Sequence, residues 1–272
     1  MNGRKWVPTL VLTLLVLASA FPLYWAVLAS FTPEARLFQA PSLLPGTLVL
    51  DHYRALFNGR NFWVPIRNSL IVAGTTTIFC VTLGALCAYA LARLQFRGKA
   101  PLLGFILAVG MFPQISVVSP LYLLLRALHL INTYPGLVLP YLTFAMPLTV
   151  WLMVGFFRQL PAELEEAAMV DGAGRFRAFR EVIVPLALPG IATTAILTFV
   201  YSWNEFLFAL SFTLGPERQT VPVAITLFRG MYQVPWGQIL AAAVVATAPV
   251  TVLVLAFQRR IVQGLTAGAV KG

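Results

Sequence analysis

The feature that most limits what this chain can fold into is a series of six long apolar runs, the first of which reads TLVLTLLVLASAFPLYWAVLAS. About 20 apolar residues in a helix cross the roughly 30 Å hydrocarbon core of a bilayer, because each residue rises about 1.5 Å and a helix satisfies its own backbone polar groups. The runs are continuous rather than alternating, which excludes a closed β-barrel. The sequence therefore predicts an all-α polytopic membrane protein with six transmembrane helices, at about 7–31, 69–92, 101–125, 135–157, 190–213 and 239–258, forming one membrane domain over 1–272. Its 59% hydrophobic composition and mean hydropathy of +0.84 fit no ordinary soluble domain.

A formal charge of +10 raises nucleic acid as a partner, but the basic residues lie scattered between apolar runs and form no stripe, so nucleic acid is set aside. The charge reads as topology instead. With the N-terminus inside, Arg4, Lys5, Arg93, Arg97, Lys99, Arg158, Arg175, Arg177, Arg180, Arg259, Arg260 and Lys271 all fall on the inner side. Most of the remaining basic residues sit in the long 32–68 connection or singly outside, so both termini are expected in the cytoplasm. Arg4 and Lys5 ahead of an apolar run, with Ala18-Ser19-Ala20 beyond, resemble a signal peptide. The run continues through Val27 and Leu28, however, long enough to span, and is read as a retained helix. Cys80 and Cys87 lie about 10 Å apart on one helix, too far to bridge.

The densest charge cluster, ELEEAAMVDGAGRFRAFREVIVPL at 163–186, lies between two apolar runs in an inner connection of about 158–189. Pro161 suits a first helical turn, Glu163, Glu165 and Glu166 favour the positive N-terminal end, and Gly172 supplies a stop after Asp171. The spacing predicts a short helix over about 162–171, then a second helical stretch from Arg175 toward Pro185. So short a helix needs something to pack against. Three arginines would suit anionic lipid, whereas the acidic first half suits a groove on a partner at the cytoplasmic side.

Glu166-Ala167-Ala168, Gly172 and then Val182, Ile183, Val184 and Pro185 resemble the EAA loop of ATP-binding-cassette (ABC) importer permeases. MFPQISVVSPLY, INTYPGLVLPYLTFAMPL, YSWNEFLFAL and the tail RRIVQGLTAGAVKG resemble the sugar-importing branch, the maltose-type second permease subunit above all, and within that group the trehalose and maltose importers. The resemblance covers nearly the whole chain. It implies a type I ABC importer permease fold in a bacterial or archaeal inner membrane. It also implies a second permease subunit as heterodimer partner, two ATPase subunits that bind ATP and Mg, an extracytoplasmic sugar-binding protein, and surrounding membrane lipid.

On this resemblance Glu165, Glu166, Ala167, Ala168, Asp171, Gly172 and Gly174 couple to the ATPase. Gly172 and Gly174 allow a sharp turn and Asp171 caps or anchors it. Gly264, Leu265, Thr266, Ala267 and Gly268 form the tail that reaches between the ATPases.

The chain has no phosphate-binding loop of the G-x-x-x-x-G-K-[ST] type, so it is expected to bind no cofactor itself and to leave ATP hydrolysis to another chain. No metal-ligand spacing and no catalytic motif appears around His52 or His129, so a metal site and an intramembrane enzyme lack their parts. Glu205 is the one carboxylate inside an apolar run. With Trp203, whose flat face suits a pyranose, and Asn204, it either lines a translocation path or occupies the wetter outer end of its span. The competing classes are an ABC permease for amino acids or peptides and a secondary transporter; repeated halves and coupling charges, the marks of the latter, are absent.

Overall fold

In the computed structural model, residues 6–39, 44, 46–228 and 234–269 are described, excepting the side chains of 7 and of 259–269. Helices α1 (Trp6–Ser30), α2 (Asp51–Arg54), α3 (Trp63–Arg93), α4 (Lys99–Met111), α5 (Gln114–Ala127) and α6 (Tyr134–Gln159) make the first half. Then follow α7 (Glu163–Val170), α8 (Arg175–Ala178), α9 (Val184–Trp203), α10 (Leu207–Phe212), α11 (Val221–Thr226) and α12 (Trp236–Ala269). Among the described residues there is no β-strand. Among the described residues five helical segments are long and apolar enough to cross a bilayer: Pro8–Ser30, Trp63–Arg93, Tyr134–Gln159, Arg175–Trp203 and Trp236–Gln258.

The run at 101–125, expected as one span, is broken into two helices. Here α4 and α5 meet at a 90° bend. Phe112 takes extended backbone and Pro113, which has no N–H to continue the ladder, precedes α5. The fifth span also differs from its expected 190–213. Helical structure begins at Arg175, passes through a π-type segment at Phe179–Ile183, and ends at Trp203. Pro185 offers no N–H, and just before it the Val184 N–H reaches back five residues to the Phe179 carbonyl.

The chain divides into two compact units. The first comprises Met1–Trp63 and Ala224–Pro249. In it the Glu34 carboxylate accepts the N–H groups of Trp236 and Gly237 at 3.0 and 3.1 Å, capping the start of α12, and Arg60 donates to Gln238 at 2.7 Å. The apolar side chains of α1 are exposed along most of its length, as a lipid-facing helix requires.

The second unit, Val64–Val223 with Val250–Gly272, holds two cores. One joins Ala88 and Leu91 of α3 with Met153 and Phe157 of α6, Phe179 and Ile183 of the π-type segment, and Ala187 of α9. The other joins Val72 of α3 with Tyr141 and Phe144 of α6 and Phe208 and Phe212 of α10. Between them α6 and α9 pack closely enough for the hydroxyls of Thr149 and Thr198 to pair at 2.9 Å. A Cβ on Gly84 of α3 would stand 2.9 Å from the Thr149 methyl, so only glycine admits this approach. The start of α6 is set by Thr133, whose hydroxyl accepts the Gly136 N–H at 3.2 Å, and by Pro135 in the first turn.

Candidate functional site

Helix α7 forms where the sequence places three acidic residues against the positive end of a short helix. Its end is a Schellman motif: the Ala173 N–H reaches the Ala168 carbonyl at 3.0 Å and the Gly172 N–H reaches Met169 at 3.1 Å. Gly172 has φ +87°, a backbone that resists any side chain and a β-branched one most. Gly174 is different. With φ −66° and ψ 159° it is ordinary extended backbone with open space around it, so the sharp turn rests on Gly172. Asp171 stands exposed at the C-cap.

At about 100° per residue, α7 has an inner and an outer face. Glu165, Ala168 and Met169 turn toward the chain's own core, Glu165 being 8% exposed. Glu163, Ala167 and Val170, flanked by Glu166, turn outward, Val170 being 88% exposed. The expected coupling residues therefore divide: Glu166 and Ala167 lie on the outer face, Glu165 and Ala168 on the inner one. Val170 of α7 and Phe176 of α8 leave large apolar side chains on the outside of the loop. Beside them Arg177 donates to Glu181 at 2.9 Å.

The inner face is tied down by two residues for which the sequence offered no local signal. The Tyr89 hydroxyl donates to the Glu165 carboxylate, and Arg93 Nε stands 3.7 Å from the other carboxylate oxygen. Tyr89 and Arg93 are four residues apart at the end of α3, hence on one face. Arg93 also donates to the Leu160 carbonyl, just past α6, at 2.7 Å. One phenol and one guanidinium thus meet Glu165 from more than seventy residues away in sequence.

Trp203, Asn204 and Glu205 do not converge. Trp203 is buried and stacks on Phe199 with centroids 5.6 Å apart. Asn204 closes α9 as its C-cap, is exposed, and donates to the Val200 carbonyl at 2.8 Å. Glu205 is buried, and its two oxygens accept the Phe208 and Ala209 N–H groups at 2.7 and 3.1 Å. It starts α10 as a capping side chain does. Of the expected tail, Gly264, Leu265, Thr266, Ala267 and Gly268 continue the α12 backbone, while their side chains lie outside the described residues.

Comparison with known proteins gives the family of the chain. The family described as "Binding-protein-dependent transport system inner membrane component" matches residues 80–267, well over half of the chain. The chain is 47% identical over 275 residues to the trehalose transport system permease protein SugB of Mycobacterium tuberculosis, with full coverage of both. It is 39% identical over 262 residues to the trehalose/maltose transport system permease protein MalG of Thermococcus litoralis, covering 95% of this chain and 94% of that protein. It is 40% identical to the sulfoquinovosyl glycerol transport system permease protein SmoH of Agrobacterium fabrum, covering 96% of this chain and 92% of that one. Its fold matches a chain of a solved bacterial ABC transporter that imports the acidic polysaccharide alginate, with a TM-score of 0.81 at 21% identity, covering 94% and 95% of the two chains. An exposed acidic helix between membrane-crossing segments, a matching family profile and full-length relatives agree: the chain belongs to the family of binding-protein-dependent transport system inner membrane components.

Proposed function

We propose that this chain is one of two permease subunits of an ABC sugar importer, that it forms half of the translocation pathway, and that its substrate is trehalose, maltose or a related di- or oligosaccharide. The full-length 47% identity to a trehalose permease is the observation that supports the sugar class most directly. The permease works with a second, different permease subunit, two ATPase subunits that hold ATP and Mg, and an extracytoplasmic sugar-binding protein, and it binds no cofactor itself. Both termini and the 158–189 loop face the cytoplasm of a bacterial or archaeal cell.

Coupling runs through α7. Its outer face, Glu163, Ala167 and Val170 with Glu166 beside them, offers an apolar strip edged by negative charge, which suits a groove with a basic rim. The turn at Gly172 keeps that face at a set angle to the segment entering α9. The α12 tail adds a second contact with the ATPases. In the pathway, Asn204 is the member of the Trp203-Asn204-Glu205 group that supports contact with sugar, since it alone is exposed, while Glu205 shapes the backbone behind it.

The test is reconstitution with the ATPase, second permease and binding protein that co-purify with the chain. Ala167→Trp and Glu166→Lys are expected to abolish stimulation of ATP hydrolysis by loaded binding protein, and a cysteine at 167 is expected to cross-link to the ATPase. Normal stimulation in both variants, with no cross-link in any nucleotide state, returns the loop to the membrane surface. The purified chain alone is expected to hydrolyse no ATP above background.

A further inference from the structure

The buried contact beneath α7 goes beyond docking. We propose that Glu165, Tyr89 and Arg93 form an internal seat through which α7 moves α3, so that Glu165 is a positioning residue for transport rather than part of the surface that meets the ATPase. This rests on the coupling role proposed for α7 above.

Three observations carry it. The first is convergence: Glu165 of α7, Tyr89 and Arg93 of α3, and the Leu160 carbonyl after α6 meet at one buried cluster. The Tyr89 ring extends the cluster to the segment that enters α9, because it packs on Phe179 with centroids 4.7 Å apart. A displacement of α7 thus reaches three membrane helices through direct neighbours.

The second is the choice of chemistry. A buried ion pair is no better for stability than well-packed apolar residues of the same volume, and it is often worse. Leu164 and Val170 lie exposed on the same short helix, so apolar side chains were to hand. What a buried carboxylate adds is direction. An apolar contact can slide over its neighbour at little cost, whereas Glu165 cannot leave Tyr89 and Arg93 without stranding a charge, so α7 and the end of α3 travel together.

The third is slack. Arg93 Nε is buried, has no hydrogen-bond partner, and stands 3.7 Å from the Glu165 carboxylate. A shift of about 0.8 Å would bring that pair to ordinary hydrogen-bond length. Slack of that size can be taken up inside the seat, so Arg93 can close on Glu165 without parting α7 from α3.

The experiment uses the reconstituted complex. In a background with Cys80 and Cys87 replaced by Ala, spin labels at Leu164 on α7 and Leu86 on α3 report their separation with and without Mg-ATP. The expected result is one narrow distance common to all nucleotide states, broadened in Tyr89→Phe, a variant that keeps the ring against Phe179 and loses only the hydroxyl. Stimulation of ATP hydrolysis by loaded binding protein is expected to fall about fivefold or more in Tyr89→Phe and in Glu165→Gln, while the cross-link from position 167 to the ATPase persists. The ratio of trehalose carried to ATP hydrolysed should fall with it; a purely structural loss would lower both together and leave the ratio alone. A 164-to-86 distance that changes with nucleotide in the otherwise native chain overturns the seat, as does wild-type stimulation in both variants. Loss of the cross-link in the unmutated seat instead overturns the docking role of α7, so the two failures are separable.

Discussion

Glu165 and Glu205 are buried to the same degree, 8% exposed each, yet they hold different things. Glu205 takes two N–H groups three and four residues downstream, with Tyr141 of α6 beside its carboxylate, and its hydrogen bonds shape its own turn. Glu165 takes a phenol and a guanidinium from a helix more than seventy residues away. The first organises a break between two helices. The second fixes one element to another. Buried charge in this protein thus serves local geometry at one site and long-range attachment at the other, and burial alone does not tell them apart.

Substitutions at five positions sharpen or break that contrast. Glu165→Ala should have the largest effect, about 3–5 kcal/mol of stability in a reversible denaturation series in detergent micelles, because it leaves Arg93 buried without its counter-charge. Glu205→Ala should lose about 2 kcal/mol by the same measurement, since two buried N–H groups lose their acceptor, and should leave cross-linking from α7 untouched. If Glu205→Ala proves the more damaging and also uncouples ATP hydrolysis, the division into local and long-range roles is wrong. Gly172→Val should follow at about 1–2 kcal/mol, from placing a β-branched residue at φ +87°, with Gly172→Ala milder and Gly174→Ala neutral. Arg177→Gln should do least. Its bond to Glu181 lies on an open surface where water screens it, and thermal unfolding should be unchanged at any salt concentration.

The apolar runs and the short acidic helix were legible in the sequence because each is a local pattern. Pro161, the three glutamates and Gly172 bracket 162–171 by themselves, and α7 runs from Glu163 to Val170. The contact surface of that helix was not legible in the same way. Leu164, Ala167, Ala168, Met169 and Val170 are all apolar in sequence, whereas Ala168 and Met169 turn inward and Val170 outward. The 3.6-residue period would have grouped Ala168 and Met169 with Glu165, an arc that makes sense only once Tyr89 and Arg93 are known to lie opposite. Nothing near 165 points to residues 89 and 93. Likewise Glu205 reads as a lone charge in a span until the helix break after Trp203 gives it backbone to bind. Asn204 followed by Glu205 is a stop-and-start signal that the surrounding hydrophobicity conceals.

The right-angle break between α4 and α5 has a consequence for the subunit on its own. Each half, at about 20 Å, is too short to cross the bilayer alone. Where they meet, the last carbonyls of α4 and the first N–H groups of α5 have left the helical ladder, and in hydrocarbon each such group is penalised by several kcal/mol. An apolar groove of about 410 Å³ opens at this point between Phe105, Phe112 and Phe144. Fatty acyl chains can fill the groove but cannot satisfy the backbone. A break of this shape asks for a covering protein surface or a water-filled cavity, neither of which lipid supplies.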